Sequence, residues 1–159
     1  EKFNELKKIR IKNALCKFSQ REREKMKEKL GILNEYLNDS EFGKYVSLIN
    51  DGDLKAVSSN CLMFMYKTEL MAESFNLDLI KIEELFEKCF NEKYKVIAID
   101  LNDWNFIKVD YNSNKDKYVY NDEKITLKDI FDVEKTNLSI KNNSIDDMFD
   151  DIIEKYEQI

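Results

Sequence analysis

A short run of acidic and amide side chains has the spacing that is most suggestive of metal chemistry. Four of these side chains fall on alternate positions, as the oxygen ligands of a calcium-binding loop do: Asp110, Asn112, Asn114 and Asp116. Such a loop also needs a glycine at its sixth position and a glutamate at its twelfth, where this chain has Lys115 and Asn121. We therefore expect no calcium site.

Other arrangements that could do chemistry have simpler interpretations. Asp100 and Asp103 could form a carboxylate pair, but their spacing also suits the first turn of a helix, where acids cap free amides. We expect the helix cap. The glycines Gly31, Gly43 and Gly52 are isolated, so the chain has no glycine-rich phosphate loop.

The sequence contains no histidine, which excludes zinc sites with histidine ligands and nucleophiles activated by histidine. The three cysteines are widely spaced among apolar neighbours, as is typical of buried, reduced thiols: Cys16, Cys61 and Cys89. We expect no enzymatic activity in this chain, no metal and no cofactor.

The overall composition limits the class of protein further. The 159 residues carry a net charge of −6, which argues against a sequence-independent nucleic-acid binder. The chain has neither a membrane-spanning apolar run nor a secretory signal, so we expect a cytoplasmic protein with no membrane partner. Because the chain begins at Glu1 and not at Met, we expect it to be a piece of a longer protein.

The N-terminal part of the chain is expected to be helical from Ser19 onward. Residues 3–18 fit either a helix or an extended arm, because apolar residues recur at helical spacing while Ile9 and Ile11 alternate as in a strand. A helix from Ser19 to Leu37 is indicated by a capping box of Ser19 and Glu22.

The next segment predicts a β-meander. Asp51-Gly52 suits a tight hairpin turn between strands at about 45–50 and 54–57, and a second turn at 58–60 leads into a strand at 61–66.

The second half of the domain predicts helices around a buried strand. Two helices capped by Thr68 and Asp78 precede a central strand over 94–99. Asp100 then caps a helix whose inward residues are Trp104, Ile107 and Tyr111. The pattern predicts an α+β fold, a small antiparallel or mixed sheet with helices on one face.

The C-terminal part differs in character. We expect a core domain over residues 1–113, a polar linker over 114–142 and an amphipathic tail helix over 143–159. One side of this predicted helix is an apolar stripe that includes Ile159, and the opposite side of the helix carries aspartates and glutamates. Six further apolar residues share one side of that helix: Ile145, Met148, Phe149, Ile152, Ile153 and Tyr156. This stripe either packs on its own domain or enters a groove of a partner.

An ordered set of short motifs gives a family resemblance over residues 9–111. Ile9-Arg10-Ile11 and Asn13 come first. The others follow in order: Asp51-Gly52, Ala56, Ser58, Tyr66-Lys67, Glu69, Ala72-Glu73, Asn76, Lys93-Tyr94 and Trp104. Together these motifs resemble the C-terminal region of the tau/gamma subunit of bacterial DNA polymerase III, in the form found in Gram-positive lineages and their relatives.

The resemblance implies a non-catalytic adaptor with a truncated KH-like fold, which tethers the clamp loader to the replicative polymerase. Its implied partners are the polymerase catalytic subunit and other replisome proteins, with no direct nucleic-acid contact. The segment 148–153 is similar to the family's polymerase-binding segment, although Asp150 stands where a glycine is common. The resemblance therefore favours partner binding by the tail stripe. The alternative is a KH-like nucleic-acid-binding module, for which the GXXG loop is absent.

Overall fold

A computed structural model describes residues 1–131 of the chain and confirms the α+β class. The helices are α1 Lys2–Leu15, α2 Gln20–Leu30, α3 Gly43–Asp51, α4 Glu69–Leu77, α5 Leu79–Phe90 and α6 Leu101–Ser113. The strands are β1 Asp53–Ser58, β2 Cys61–Tyr66 and β3 Lys95–Asp100, and 3₁₀ segments lie at Gly31–Tyr36 and Lys115–Lys117. No helix in the described range has the length and apolar content needed to cross a bilayer.

The three strands form a mixed sheet in the order β1-β2-β3. β1 pairs with β2 antiparallel, and β2 pairs with β3 parallel. The prediction that the strand near 94–99 is central was wrong, since β3 lies at the edge. It is nevertheless buried on both faces, with Val96, Ile97, Ala98 and Ile99 all fully covered. Burial on both faces made an edge strand resemble a central one in sequence.

The predicted meander was wrong at its first strand. Residues 45–50 belong to α3, because Tyr45, Val46 and Ile49 bury one helical face. Gly52 has a φ of −88° and makes no hairpin turn. The hairpin turn lies at Ser59-Asn60, whose φ angles of 52° and 58° are those of a tight primed turn. The predicted turn at 58–60 and strand at 61–66 are confirmed.

Helices cover both faces of the sheet, so the prediction of helices on one face only was wrong. The Cys61 thiol lies 3.3 Å from the backbone oxygen of Arg10 in α1. Phe64 packs on Phe75 of α4 with ring centroids 5.3 Å apart. Because odd and even residues of a strand point to opposite faces, α1 and α4 lie on opposite sides of β2. The run of apolar residues in β2 requires this two-sided cover.

Helix α1 settles the ambiguity of residues 3–18 in favour of a helix, which ends at Leu15. Helix α2 begins as predicted, with the Ser19 side chain accepting a hydrogen bond from the Glu22 amide at 3.4 Å. The α-helical geometry ends at Leu30 and continues as the 3₁₀ segment towards Leu37. The predicted N-terminal half of this helix is therefore correct, and its second half is more tightly wound than expected.

The helix caps proposed at Thr68 and Asp100 are confirmed. Thr68 accepts from the Met71 amide at 3.2 Å. Asp100 and Asp103 form a reciprocal capping box at the start of α6. Asp78 occupies the N-cap position of α5 without making a side-chain cap bond. The Asp100–Asp103 pair is thus engaged as a helix cap and not as a pair of reactive carboxylates.

The chain divides into two compact units, residues 1–123 and 124–159. In the described part of the second unit, the Thr126 hydroxyl accepts a hydrogen bond from the Asp129 amide at 3.1 Å, and a helix begins at residue 127. Residues 114–123, which open the predicted linker, belong to the first unit. The predicted tail helix over 143–159 lies outside the described residues.

Candidate functional site

The six predicted partner-binding residues all lie outside the described residues, so the tail site stays a prediction: Ile145, Met148, Phe149, Ile152, Ile153 and Tyr156. Within residues 1–131, two other features are candidates for function. One is a buried charge cluster around Arg10, and the other is a groove between α1 and α6.

Arg10 forms the centre of the buried charge cluster. Its side chain is only 2% exposed, yet it joins four parts of the chain. Nη1 donates to Glu83 of α5 and to the Val96 oxygen of β3, both at 2.8 Å. Nε and Nη2 donate to the Glu123 carboxylate at 2.7 and 3.3 Å. This bidentate geometry is the strong form of the arginine–carboxylate pair.

The segment 118–123 is held against α1 by further contacts. The Asn13 side chain donates to the Asn121 oxygen at 2.8 Å and accepts from its amide at 2.9 Å. Tyr118 is buried, and its hydroxyl donates to Asp110 of α6 at 2.7 Å. These contacts hold the segment 118–123 at the end of the first unit, and the Arg10–Glu123 ion pair is the contact nearest its C-terminal end.

The electrostatics of the cluster follow from burial of one cation beside two anions. Burial opposes the charge of Arg10, but the attraction and hydrogen bonds of Glu83 and Glu123 outweigh it and raise the Arg10 pKa. Burial also raises the pKa of Glu83 to about 6, an effect that Arg10 only partly offsets. The guanidinium is committed to internal partners, so the cluster acts as a structural clamp and not as a catalytic site.

Replacing Glu83 by Gln is expected to reduce the pH dependence of stability between about pH 4.5 and 6. The folded protein holds the Glu83 proton more tightly than the unfolded chain does, so wild-type stability falls as the pH rises through this window. A pKa shift of this size corresponds to at most about 2 kcal/mol.

Urea unfolding of both proteins at pH 4 and pH 7 measures this effect. The difference in unfolding free energy, Glu83→Gln minus wild type, should move in favour of the variant as the pH rises. A difference that is constant, or that moves the other way, would show that Glu83 is not protonated more readily in the folded state.

The second feature is a groove of about 520 Å³ between α1 and α6. Ile107, which is 5% exposed, lies on the inner side of α6, and Phe106 is 68% exposed. Lys8, Lys12 and Ile11 line the groove from α1. The groove therefore combines apolar surface with cationic side chains.

Some of the charged side chains in this groove have partners and others do not. Lys7 pairs with Asp103 at 3.1 Å. Hydrogen bonds from Tyr118 and Asn114 hold the pKa of Asp110 below its usual range. Lys8 and Lys12, by contrast, make no ion pair with any residue in the range 1–131. The groove thus offers two available cations beside an exposed aromatic ring.

The metal-binding possibilities raised by the sequence find no support in the part of the chain that is described. No group of three or more histidine, cysteine or acidic residues there could hold a metal ion. Asp110 is engaged by Tyr118 and Asn114. The three cysteines are free thiols, and burial raises the pKa of Cys61 to about 12, which makes this thiol unreactive.

Both the Arg10 charge cluster and the α1–α6 groove have local signals in the sequence. Arg10 follows Leu6 by four residues and precedes Ala14 by four, so a cation occupies a core position of α1. In α6, Ile107 is buried as predicted, while Trp104 and Tyr111 are half-buried. Phe106 is 68% exposed and lines the groove, so this aromatic side chain contributes little to the core of its own domain.

Comparisons with known protein families, with curated proteins and with solved structures find no match.

Proposed function

We propose that this chain is a non-catalytic adaptor domain of a bacterial replisome clamp-loader subunit, and that it tethers the catalytic subunit of the replicative DNA polymerase in the cytoplasm. The observation that carries the proposal is the ordered motif set over residues 9–111. The fold is a small α+β domain, which is the class that the resemblance implies.

Several residues of the motif set make contacts that are specific to this fold. Tyr66 packs so closely on Gly52 that a Cβ there would lie 2.8 Å from the tyrosine ring. Asn76 hydrogen-bonds both the amide and the oxygen of Ala98, each at 2.9 Å. Arg10 holds the buried charge cluster. Residues with such roles are expected to recur among proteins that share the scaffold, which supports a resemblance in fold.

The distribution of charge supports a separate role for the tail. Residues 1–131 contain 23 basic and 24 acidic residues, whereas residues 132–159 contain three lysines and eight acids. The net negative charge of the chain therefore lies almost entirely beyond the domain. An amphipathic, acidic segment is suited to a partner with a basic-rimmed apolar groove.

Binding to the polymerase catalytic subunit tests the proposal directly. We expect the full chain to bind and a variant lacking residues 143–159 to bind at least about a hundredfold more weakly, because the apolar anchors of the interface would be lost. The matched control keeps the tail composition but permutes its order, so that charge is preserved and the stripe is broken. Equal binding by the shortened chain would contradict the tail assignment.

A nucleic-acid-binding module is the second candidate, favoured by Lys8, Lys12 and Phe106 in one groove. Cations with an exposed aromatic ring can hold phosphates and a stacked base. Residues 1–131 contain 23 basic and 24 acidic residues, a balance that does not supply the basic face typical of a nucleic-acid binder. This candidate requires an affinity for single-stranded DNA or RNA that falls steeply with added salt. Absence of binding at low salt would exclude it.

A further inference from the structure

The α1–α6 groove has the features of a docking site for an acidic amphipathic helix. Phe106 is a large apolar side chain that is two-thirds exposed. Lys8 and Lys12, which lie one turn apart on α1, line the same groove. Neither lysine has an ion-pair partner among the described residues. The two acids of the groove are already engaged, Asp103 by Lys7 and Asp110 by Tyr118 and Asn114. An apolar anchor beside two such lysines favours a ligand with apolar residues on one side and acids at its margins.

The chain itself contains a segment of this chemistry outside the described residues. On a helical projection of residues 144–159, Asp146 and Glu157 border the apolar stripe on one side, and Lys155 followed by Asp151 borders it on the other. The acids adjacent to the stripe are therefore placed to reach lysines at the rim of a groove when the stripe enters it.

The dimensions of the two partners also agree. The groove is lined on α1 from Asn4 to Lys12 and on α6 from Asn102 to Asp110. Each of these helical stretches is roughly 12 Å long at 1.5 Å per residue. The stripe from Met148 to Tyr156 would have the same length of roughly 12 Å as a helix. Two turns of the tail would therefore fill the length of the groove.

We propose that the groove between α1 and α6 binds the acidic tail helix of a second copy of this chain, with Phe106 as the apolar anchor and Lys8 and Lys12 as the partners of the tail carboxylates. This goes beyond the proposed tethering function, because it assigns a self-association surface to the domain. The same stripe would then serve two partners, and self-association would compete with polymerase binding.

Analytical ultracentrifugation of the full chain over a range of concentrations tests the proposal. We expect reversible self-association that weakens at high salt, because the rim contacts are ionic. Phe106→Glu should weaken the association at least about tenfold by removing the anchor and adding a like charge to the tail acids. Leu77→Glu is the matched control, since Leu77 is 67% exposed on α4 and should leave self-association unchanged.

A mixing experiment then tests whether the contact joins two molecules. One variant carries Lys8→Glu with Lys12→Glu, and the other carries Asp146→Lys with Glu157→Lys. Each variant alone should be monomeric, since like charges face each other at its interface, whereas an equimolar mixture should associate because opposite charges meet. A chain that is monomeric at all concentrations, or variants that associate as well alone as when mixed, would overturn the proposal. If the tethering function is correct, Phe106→Glu should still bind the polymerase, whether or not the chain self-associates through this groove.

Discussion

Replacing Arg10 by Met is expected to lower the free energy of unfolding by about 3–5 kcal/mol at neutral pH. The substitution keeps the volume of the aliphatic chain but leaves the carboxylates of Glu83 and Glu123 without their buried cation. It also removes a hydrogen bond to the Val96 oxygen on the outer edge of β3. Lys95 contacts Glu123 at 3.2 Å, but it is half exposed and compensates only weakly.

Chemical denaturation with a matched control isolates this effect. Lys7→Met removes another ion pair of α1, one whose side chains are 25% and 37% exposed, and should cost less than about 1 kcal/mol. Adding Glu83→Gln and Glu123→Gln to Arg10→Met should recover much of the loss, because no unpaired charge then stays buried. A cost for Arg10→Met as small as that of Lys7→Met would contradict the clamp.

Replacing Asn76 by Asp is expected to destabilise the protein by at least about 2 kcal/mol at neutral pH. Asn76 is buried and bonds the amide and the oxygen of Ala98 on the side of β3 that faces away from β2. An aspartate can still accept from the amide, but its second oxygen then opposes the Ala98 carbonyl. The variant must either bury an unpaired charge or take up a proton.

The pH dependence of this variant provides a second measurement. A protonated aspartate can donate to the Ala98 oxygen, so the stability difference from wild type should shrink as the pH is lowered. Asn50→Asp is the control, since Asn50 is exposed and, among residues 1–131, its side chain bonds only Asn34, at 2.9 Å. A loss in Asn76→Asp that does not depend on pH would indicate a packing defect and not a disturbed edge of β3.

Local signals in the sequence predicted much of the fold. The caps at Ser19, Thr68 and Asp100 depend on side chains and amides within three residues of each other. The apolar face of α5 and the apolar runs of β2 and β3 also depend only on local spacing. Such elements can be read from sequence because their determining contacts lie within one or two turns.

The first turn of the predicted meander shows where local patterns were insufficient. Asp51-Gly52 has the composition of a tight turn, but Gly52 is needed for its close contact with Tyr66, fourteen positions along the chain. The turn at Ser59-Asn60 lacks glycine; both residues adopt the left-handed conformation, which asparagine tolerates better than most residues. Tertiary packing thus removed the first of the two predicted turns, whereas the second, at 58–60, is confirmed.

The candidate sites were harder to predict because their contacts are distant in sequence. Arg10 and Glu123 are separated by 113 positions, and no periodicity links them. The groove needs α1 and α6 to lie side by side, which the element order does not specify. The tail stripe, by contrast, was visible from periodicity, and the residues that bear on its function lie outside the described range.

The tethering role of the tail is tested most directly by Phe149→Asp in the full chain, measured for polymerase binding and for thermal unfolding together. We predict that the affinity for the polymerase catalytic subunit falls at least about tenfold while the melting temperature is unchanged, because Phe149 belongs to the predicted binding stripe. Asp147→Ala, on the opposite side of the predicted helix, should alter neither quantity. Unchanged binding, or a loss of binding matched by a loss of thermal stability, would contradict the proposal that the stripe serves a partner.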